Sequence, residues 1–255
     1  MICHPMHVDD PGLTPSEEEY LEAIYMCWQK TGGRVKVSEL SKCLHVKAPS
    51  VVQMLRKLGK KGLVDYERSG VELTKKGEEQ AIRVVRRHEL AERLLSDVFG
   101  HELPKVHEWA CKFEHVLDDE LTDKLDEALG KPTTCPHGSP IPTSEGHMSK
   151  VKADELTDMP ESGECVVVVI PEEKGSVERL LSLNILPGAK IKIIEKLPRG
   201  ALMVQCGDSQ VALSRDIASK ILVRGPRRYR YGRGLREANY LPPWEPDPDI
   251  GGAHV

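Results

Sequence analysis

Between Pro49 and Lys61 the chain carries an amphipathic helical pattern that stops at Gly62 and gives way at once to two strand-like runs. Val51, Leu55 and Leu58 share one face of that helix. The runs, Leu63–Tyr66 and Val71–Leu73, flank Glu67-Arg68-Ser69-Gly70, a turn sequence. An isolated hairpin this short is not stable in water and needs helices to pack on. The chain supplies them just upstream. Thr14 reads as an N-cap, Pro15 as N1 and Glu17 as the far side of a capping box. Leu21, Ile24, Tyr25 and Trp28 follow at i, i+3, i+4 and i+7. A short helix from about Ser38 to Leu44 completes the set. The order helix, helix, turn, helix, hairpin predicts a winged helix-turn-helix over residues 14–77.

Charge gives this segment a task. The protein as a whole has a formal net charge of −4, so it is no general polyanion binder. Yet from Arg34 to Lys61 there are eight Lys or Arg and one acid, Glu39. Concentrated positive charge of this kind suits phosphate binding. Lys47, Pro49, Ser50 and Gln53 start the basic helix, where base edges of a major groove are read. Arg56, Lys57 and wing residue Arg68 are placed to hold phosphates. The expected partner is a double-stranded DNA operator. A protein-binding winged helix is the other reading.

Downstream, Thr74 caps a long helix to about Asp97, Pro104 opens another to about Val116, and Asp118–Leu129 form a third with Leu121, Leu125 and Leu129 as its apolar stripe. These define a helical domain over 78–142 whose apolar stripes suit dimerisation, followed by a linker at 143–152. From 153 to 224 the pattern turns to short strands, Cys165–Ile170, Ala189–Glu195, Ala201–Gln205 and Gln210–Leu213, with one helix near Ser176–Leu183. That suits a small all-β SH3-like barrel. Residues 1–13 and 225–255 read as a disordered N-terminus and tail. The seven cysteines are odd in number, widely spaced and without a C-x-x-C, which fits a reducing cytoplasm better than a disulfide framework. No apolar run approaches membrane-spanning length. No Gly-rich phosphate loop, G-x-S-x-G or H-E-x-x-H is present, so an enzyme acting on a small organic substrate is not expected.

Metal donors recur at helical spacing. Glu19 and Glu22 are i, i+3 on the first helix. His88 and Glu92 are i, i+4 on another. His107, Cys111, Glu114 and His115 follow one another on the next. Residues three or four apart share a helix face. A mixed set of carboxylate, imidazole and thiolate suits first-row divalent metals such as Fe(II), Mn(II), Co(II) or Ni(II). Cys135 and His137 in Cys-Pro-His-Gly are close enough to suggest a ligand pair, but read as a structured turn.

The segments TPSEEEYLEAIY, LTKKGEEQA, RRHELAERLL, KVHEWACKFEHVLDDELTDKL and CPHGSPIP closely resemble the diphtheria toxin repressor family of iron- and manganese-dependent repressors. The resemblance runs from about Thr14 to Pro142, and a weaker one joins the C-terminal module to the SH3-like domain of ferrous-iron transport proteins. It implies a homodimeric, metal-activated repressor with two metal sites. Cys111, Glu114 and His115 fall in the primary, activating site, and Glu19 stands where iron-responsive members carry Met. His88, Glu92 and His107 fall in the ancillary site. Glu173 matches a carboxylate ligand from the SH3-like module, while Ser176 replaces the accompanying Gln. The acidic pair Glu19 and Glu22 looks like the manganese-responsive branch, and Cys111 like the iron-responsive one. Fe(II) is favoured, with Mn(II) the alternative and Co(II), Ni(II) or Zn(II) as substitutes in vitro.

Overall fold

The computed structural model describes residues 12–149 and 151–225. Apart from Gly12, Leu13 and Gly225, the terminal segments expected to be disordered lie outside the described residues. Two compact units are present. One gathers the chain up to Ala91 with Cys111–Pro132 and Ile141–Met148. The other gathers Glu92–Ala110, Thr133–Pro140 and the chain from Ser149 onward.

The first unit begins with α1 (Pro15–Thr31), whose capping box is made on both sides by Thr14 and Glu17 and whose C-cap is Gly32 in the left-handed region. Helices α2 (Val37–Cys43) and α3 (Ala48–Lys60) follow. Strands β1 (Val64–Glu67) and β2 (Gly70–Leu73) pair antiparallel, and a bridge between Val35 and Val71 widens the wing. Leu21, Ile24, Leu40, Val51, Leu55, Leu58 and Val71 are fully buried in one core. The apolar spacing of α3 therefore buries one face and turns the basic one outward. Thr74 caps α4 (Lys75–Arg93), its Oγ1 accepting from the Gly77 N–H. Gly77 has no freedom to vary, because a Cβ there would lie 1.8 Å from the Leu63 carbonyl oxygen. The long helix expected to reach Asp97 changes pitch instead, closing with a π-helical stretch at Leu94–Val98.

Helix α5 (Leu103–Phe113) runs into a 3-10 turn at Glu114–Val116, and α6 (Asp119–Ala128) is capped by Asp118. Buried Arg86 of α4 fixes α6 through Asp123 at 2.8 Å and Asp126 at 2.9 Å.

The second unit carries one antiparallel sheet. Its strands are β3 (Asp154–Glu155), β4 (Glu164–Val169), β5 (Lys190–Lys196), β6 (Leu202–Cys206), β7 (Ser209–Leu213) and β8 (Leu222–Arg224), ordered β3-β8-β4-β5-β6-β7. Register shifts at Val167/Val169 and Ile193/Glu195 bend it. Helices α7 (Lys174–Ser182) and α8 (Arg215–Ala218) complete the fold around a core of Leu156, Ile170, Leu180, Ile185, Ile193 and Val204. The SH3-like expectation is met. Strands β3 and β8 are too short for alternation to signal them in the sequence. Among the described residues no helix is long and apolar enough to cross a membrane.

Candidate metal centres and nucleic-acid interface

Helix α3 displays Pro49, Ser50, Gln53, Arg56 and Lys57 on its exposed side, with Lys47 as its N-cap residue. Arg68 is exposed at the tip of the wing. The polar and basic residues expected to meet DNA thus share one helix and the hairpin beside it. Some of the basic residues have other commitments. Arg34 pairs with the wing acids Asp65 and Glu72, the latter at 3.2 Å. Lys57 Nζ lies 3.3 Å from the buried carboxylate of Glu17.

The first unit also assembles metal donors. Donor atoms of Glu22, His88 and Glu114 lie within 4.8 Å of one another. Glu22 comes from α1, His88 from α4 and Glu114 from the 3-10 turn after α5, so α1 is joined to the helices behind it. Glu114 and His88 are 1% and 3% exposed, and His88 Nδ1 is 2.5 Å from Glu114 Oε2. Beside them, His115 Nδ1 is 2.7 Å from Glu18 Oε2, and Arg87 Nη2 donates to Glu18 Oε1 at 2.7 Å. If His115 donates from Nδ1, its Nε2 carries the lone pair. That atom is buried, has no hydrogen-bond partner among the described residues, and sits 3.5 Å from Glu114 Oε1. A carboxylate that fixes one imidazole nitrogen and leaves the other as an acceptor is the usual support of a metal ligand. Glu19 is exposed and belongs to no donor group among the described residues. Cys111 lies one turn beyond His107 on α5.

The second unit builds a different group. Donor atoms of Glu92, Cys135, His137 and Glu172 lie within 4.8 Å of one another, and the first three residues are buried. His137 Nδ1 is 2.8 Å from Glu92 Oε2, while its Nε2 is buried without a hydrogen-bond partner among the described residues. His107 Nδ1 is 3.4 Å from Glu172 and 3.5 Å from Glu92. The loop bearing Cys135 and His137 is held in place by backbone. Ile170 N–H donates to the His137 carbonyl at 2.9 Å, Thr134 and Pro140 form a bridge, and Gly138 at φ +93° passes so close to β4 that a Cβ would lie 1.9 Å from the Val168 oxygen.

The Cys-Pro-His-Gly segment is therefore the structured turn expected, and it also gathers donors, which helical spacing had no means of showing. The usable signal was Cys and His two apart, with a proline between and a glycine after. Glu172, rather than Glu173, reaches this group. Glu173 is the N-cap of α7 and accepts from Ser176 Oγ at 3.3 Å and Lys220 Nζ at 2.9 Å.

A buried imidazole nitrogen with no partner costs free energy, and a cation held by these donors removes that cost. Both groups fit a divalent metal. The first is built of oxygen and nitrogen donors, and the second adds sulfur.

Family models match three stretches of the chain. The model of the iron-dependent repressor N-terminal DNA-binding domain matches residues 12–71, that of the iron-dependent repressor metal-binding and dimerisation domain matches 74–143, and the FeoA domain matches 155–225. The iron-dependent repressor IdeR of Mycobacterium leprae is 31% identical over 228 residues, spanning 83% of this chain and 97% of that protein. The diphtheria toxin repressor of Corynebacterium diphtheriae is 30% identical over 226 residues, spanning 83% and 97%. Among solved structures, a manganese-dependent transcriptional repressor in complex with manganese superposes with a TM-score of 0.77 at 27% identity, covering 82% of this chain and 99% of that one. IdeR of T. acidophilum superposes at 0.71 and 28%, covering 85% and 100%.

Proposed function

Because the chain belongs to the iron-dependent repressor family, we propose that it is a metal-activated repressor that binds a palindromic operator as a homodimer and so controls metal-homeostasis genes. The observation that carries this reading is the donor group Glu22, His88 and Glu114, in which α1 of a DNA-binding head supplies one ligand and the helices behind it supply the others. A bound divalent ion supplies positive charge that holds these donors together. With such an ion held, Glu22 would fix α1, Glu18 would orient the His115 ring, and the head would keep one orientation. Lys47, Pro49, Ser50 and Gln53 would face base edges, and Arg56 and Arg68 would face phosphates, while Lys57 beside them is held by Glu17. Two such heads at successive half-sites would give operator symmetry that mirrors dimer symmetry. Exposed Val116 and Leu121 in the first unit, and Val98, Phe99 and Trp109 in the second, offer the apolar surface that the homodimer would cover.

We assign Cys111, Glu114, His115, His88, Glu22 and Glu19 to the activating side. Glu92, His107, Cys135, His137 and Glu172 form the second site. Fe(II) is the favoured metal, since thiolate ligands raise affinity for metals above Mn(II) in the Irving–Williams order. Mn(II) is the second reading, favoured by the all oxygen and nitrogen composition of the Glu22, His88 and Glu114 group. The test is anaerobic fluorescence anisotropy of labelled promoter DNA with Fe(II), Mn(II), Zn(II) or chelator. Metal-dependent binding supports the reading and the ranking picks the metal. Binding indifferent to every metal would sink it.

A further inference from the structure

Glu17 is a carboxylate that the reading above leaves without a task. An N-cap partner needs only the local backbone, and Glu17 Oε2 does accept from Thr14 N–H at 2.8 Å. The side chain is nonetheless fully buried and meets two ammonium groups from another element. Lys61 Nζ lies 2.7 Å from Oε1 and 2.9 Å from Oε2, and Lys57 Nζ lies 3.3 Å from Oε1. Both lysines stand at the C-terminal end of α3, the helix that displays Gln53 and Arg56. Burial by itself would raise the Glu17 pKa. Lys61, the Thr14 backbone and Lys57 outweigh it and hold the group down at about 2, and the two ammonium groups at 2.7 and 3.3 Å make the clamp an ionic one.

The neighbouring residue points elsewhere. Successive helical residues are rotated by about 100°, and Glu18 meets Arg87 of α4 and His115. Two adjacent carboxylates in one turn of α1 therefore grip opposite things: Glu17 holds the end of the recognition helix, and Glu18 holds a candidate metal ligand.

We propose that Glu17 is the positioning residue that passes the state of α1 to the recognition helix, so that tightening at His115, Glu114 and Glu22 reorients α3. The proposal rests on the metal-activated reading. Its consequence runs against simple loss of function. Removing the Glu17 charge frees Lys57 and Lys61 for phosphates, so the metal-free variant binds DNA at least as well as the metal-free parent. What disappears is the response to metal. Leu55 and Leu58 anchor α3 in the core independently of Glu17.

The experiment compares full-length wild type, Glu17→Gln and Lys61→Met, the last removing a partner whose side chain is 36% exposed. Three quantities are read with and without Mn(II): calorimetric Mn(II) affinity in the absence of DNA, hydrogen exchange of α3 amides, and affinity for a labelled duplex selected by the Mn(II)-loaded wild type. The wild type is expected to gain roughly tenfold or more in DNA affinity with Mn(II), within the usual allosteric range. Both variants should keep Mn(II) affinity within about twofold and lose most of that gain, with α3 exchange no longer slowed by metal. If Glu17→Gln does not fold, Lys61→Met carries the same contrast. Variants that gain as much as wild type overturn the relay and leave the repressor reading standing. A wild type that gains nothing from metal overturns both.

Discussion

Two of the donor groups are made in opposite ways. The group in the first unit draws one residue from each of three helical segments, and its donors are oxygen and nitrogen. The group in the second unit takes Cys135 and His137 from a loop, Glu92 from the end of α4 and Glu172 from the residues leading into α7. A group carried on helices moves when a helix moves, so occupancy there changes where α1 lies. A group carried on a loop pinned to β4 by the Ile170–His137 hydrogen bond and the Gly138 contact is held by backbone, and on the proposed reading it would tune which metal is held. On the proposed function, activation belongs to the first group and metal selectivity to the second.

The largest effect should come from Glu114, which touches His88 directly and lies near His115. Glu114→Gln is expected to abolish metal-dependent DNA binding, read by anisotropy, whereas Glu92→Gln should leave it measurable. Equal loss in both would erase the distinction between the groups. Next is acid sensitivity, which belongs to the head. The folded pKa of Glu17 is depressed from 4.5 to about 2. Its contribution to stability is therefore present above pH 4.5 and is lost as pH falls toward 2, and its upper bound is about 3 kcal/mol. Thermal denaturation against pH should show that loss in wild type and not in Glu17→Gln. Third, Cys135→Ser should weaken Co(II) or Fe(II) binding about tenfold with little change for Mn(II), because only the softer metals reward a thiolate. Calorimetry with each ion measures this, and an equal loss for Mn(II) would remove selectivity from the second group. The smallest effect is a control in the same unit. Cys165 is buried in the apolar core and its thiol is pushed up to about 12 by burial, so at pH 8 it should resist alkylation until the sheet unfolds. Labelling by mass spectrometry of the native protein checks it.

How much of this could be read beforehand follows from the same contrast. Helical periodicity encodes which side chains share a face, so Glu22, His88, Glu92, His107 and Glu114 could be found from spacing. The capping box at Thr14 and Glu17 and the wing hairpin were equally local and equally legible. Spacing carries no information about where a loop goes, so Cys135 and His137 suggest a pair by their closeness yet read first as a turn. Position matching along the chain fell on Glu173, yet α7 begins there and the first turn engages Glu173 with Ser176 and Lys220, leaving Glu172 for the donors. Composition likewise counted Arg34, Lys57 and Lys61 as free positive charge. Only tertiary contacts reveal that all three face acids.

Those internal pairings carry over to the ions around the DNA. Each phosphate neutralised by the protein releases condensed counterions and adds about 0.9 to the slope of log affinity against log salt. With Arg34, Lys57 and Lys61 held by acids, each head should show a slope shallower by up to about 3 than its eight basic residues suggest. The repressor would then hold its operator through swings in ionic strength that would strip a more open basic surface, and its occupancy would report metal rather than salt.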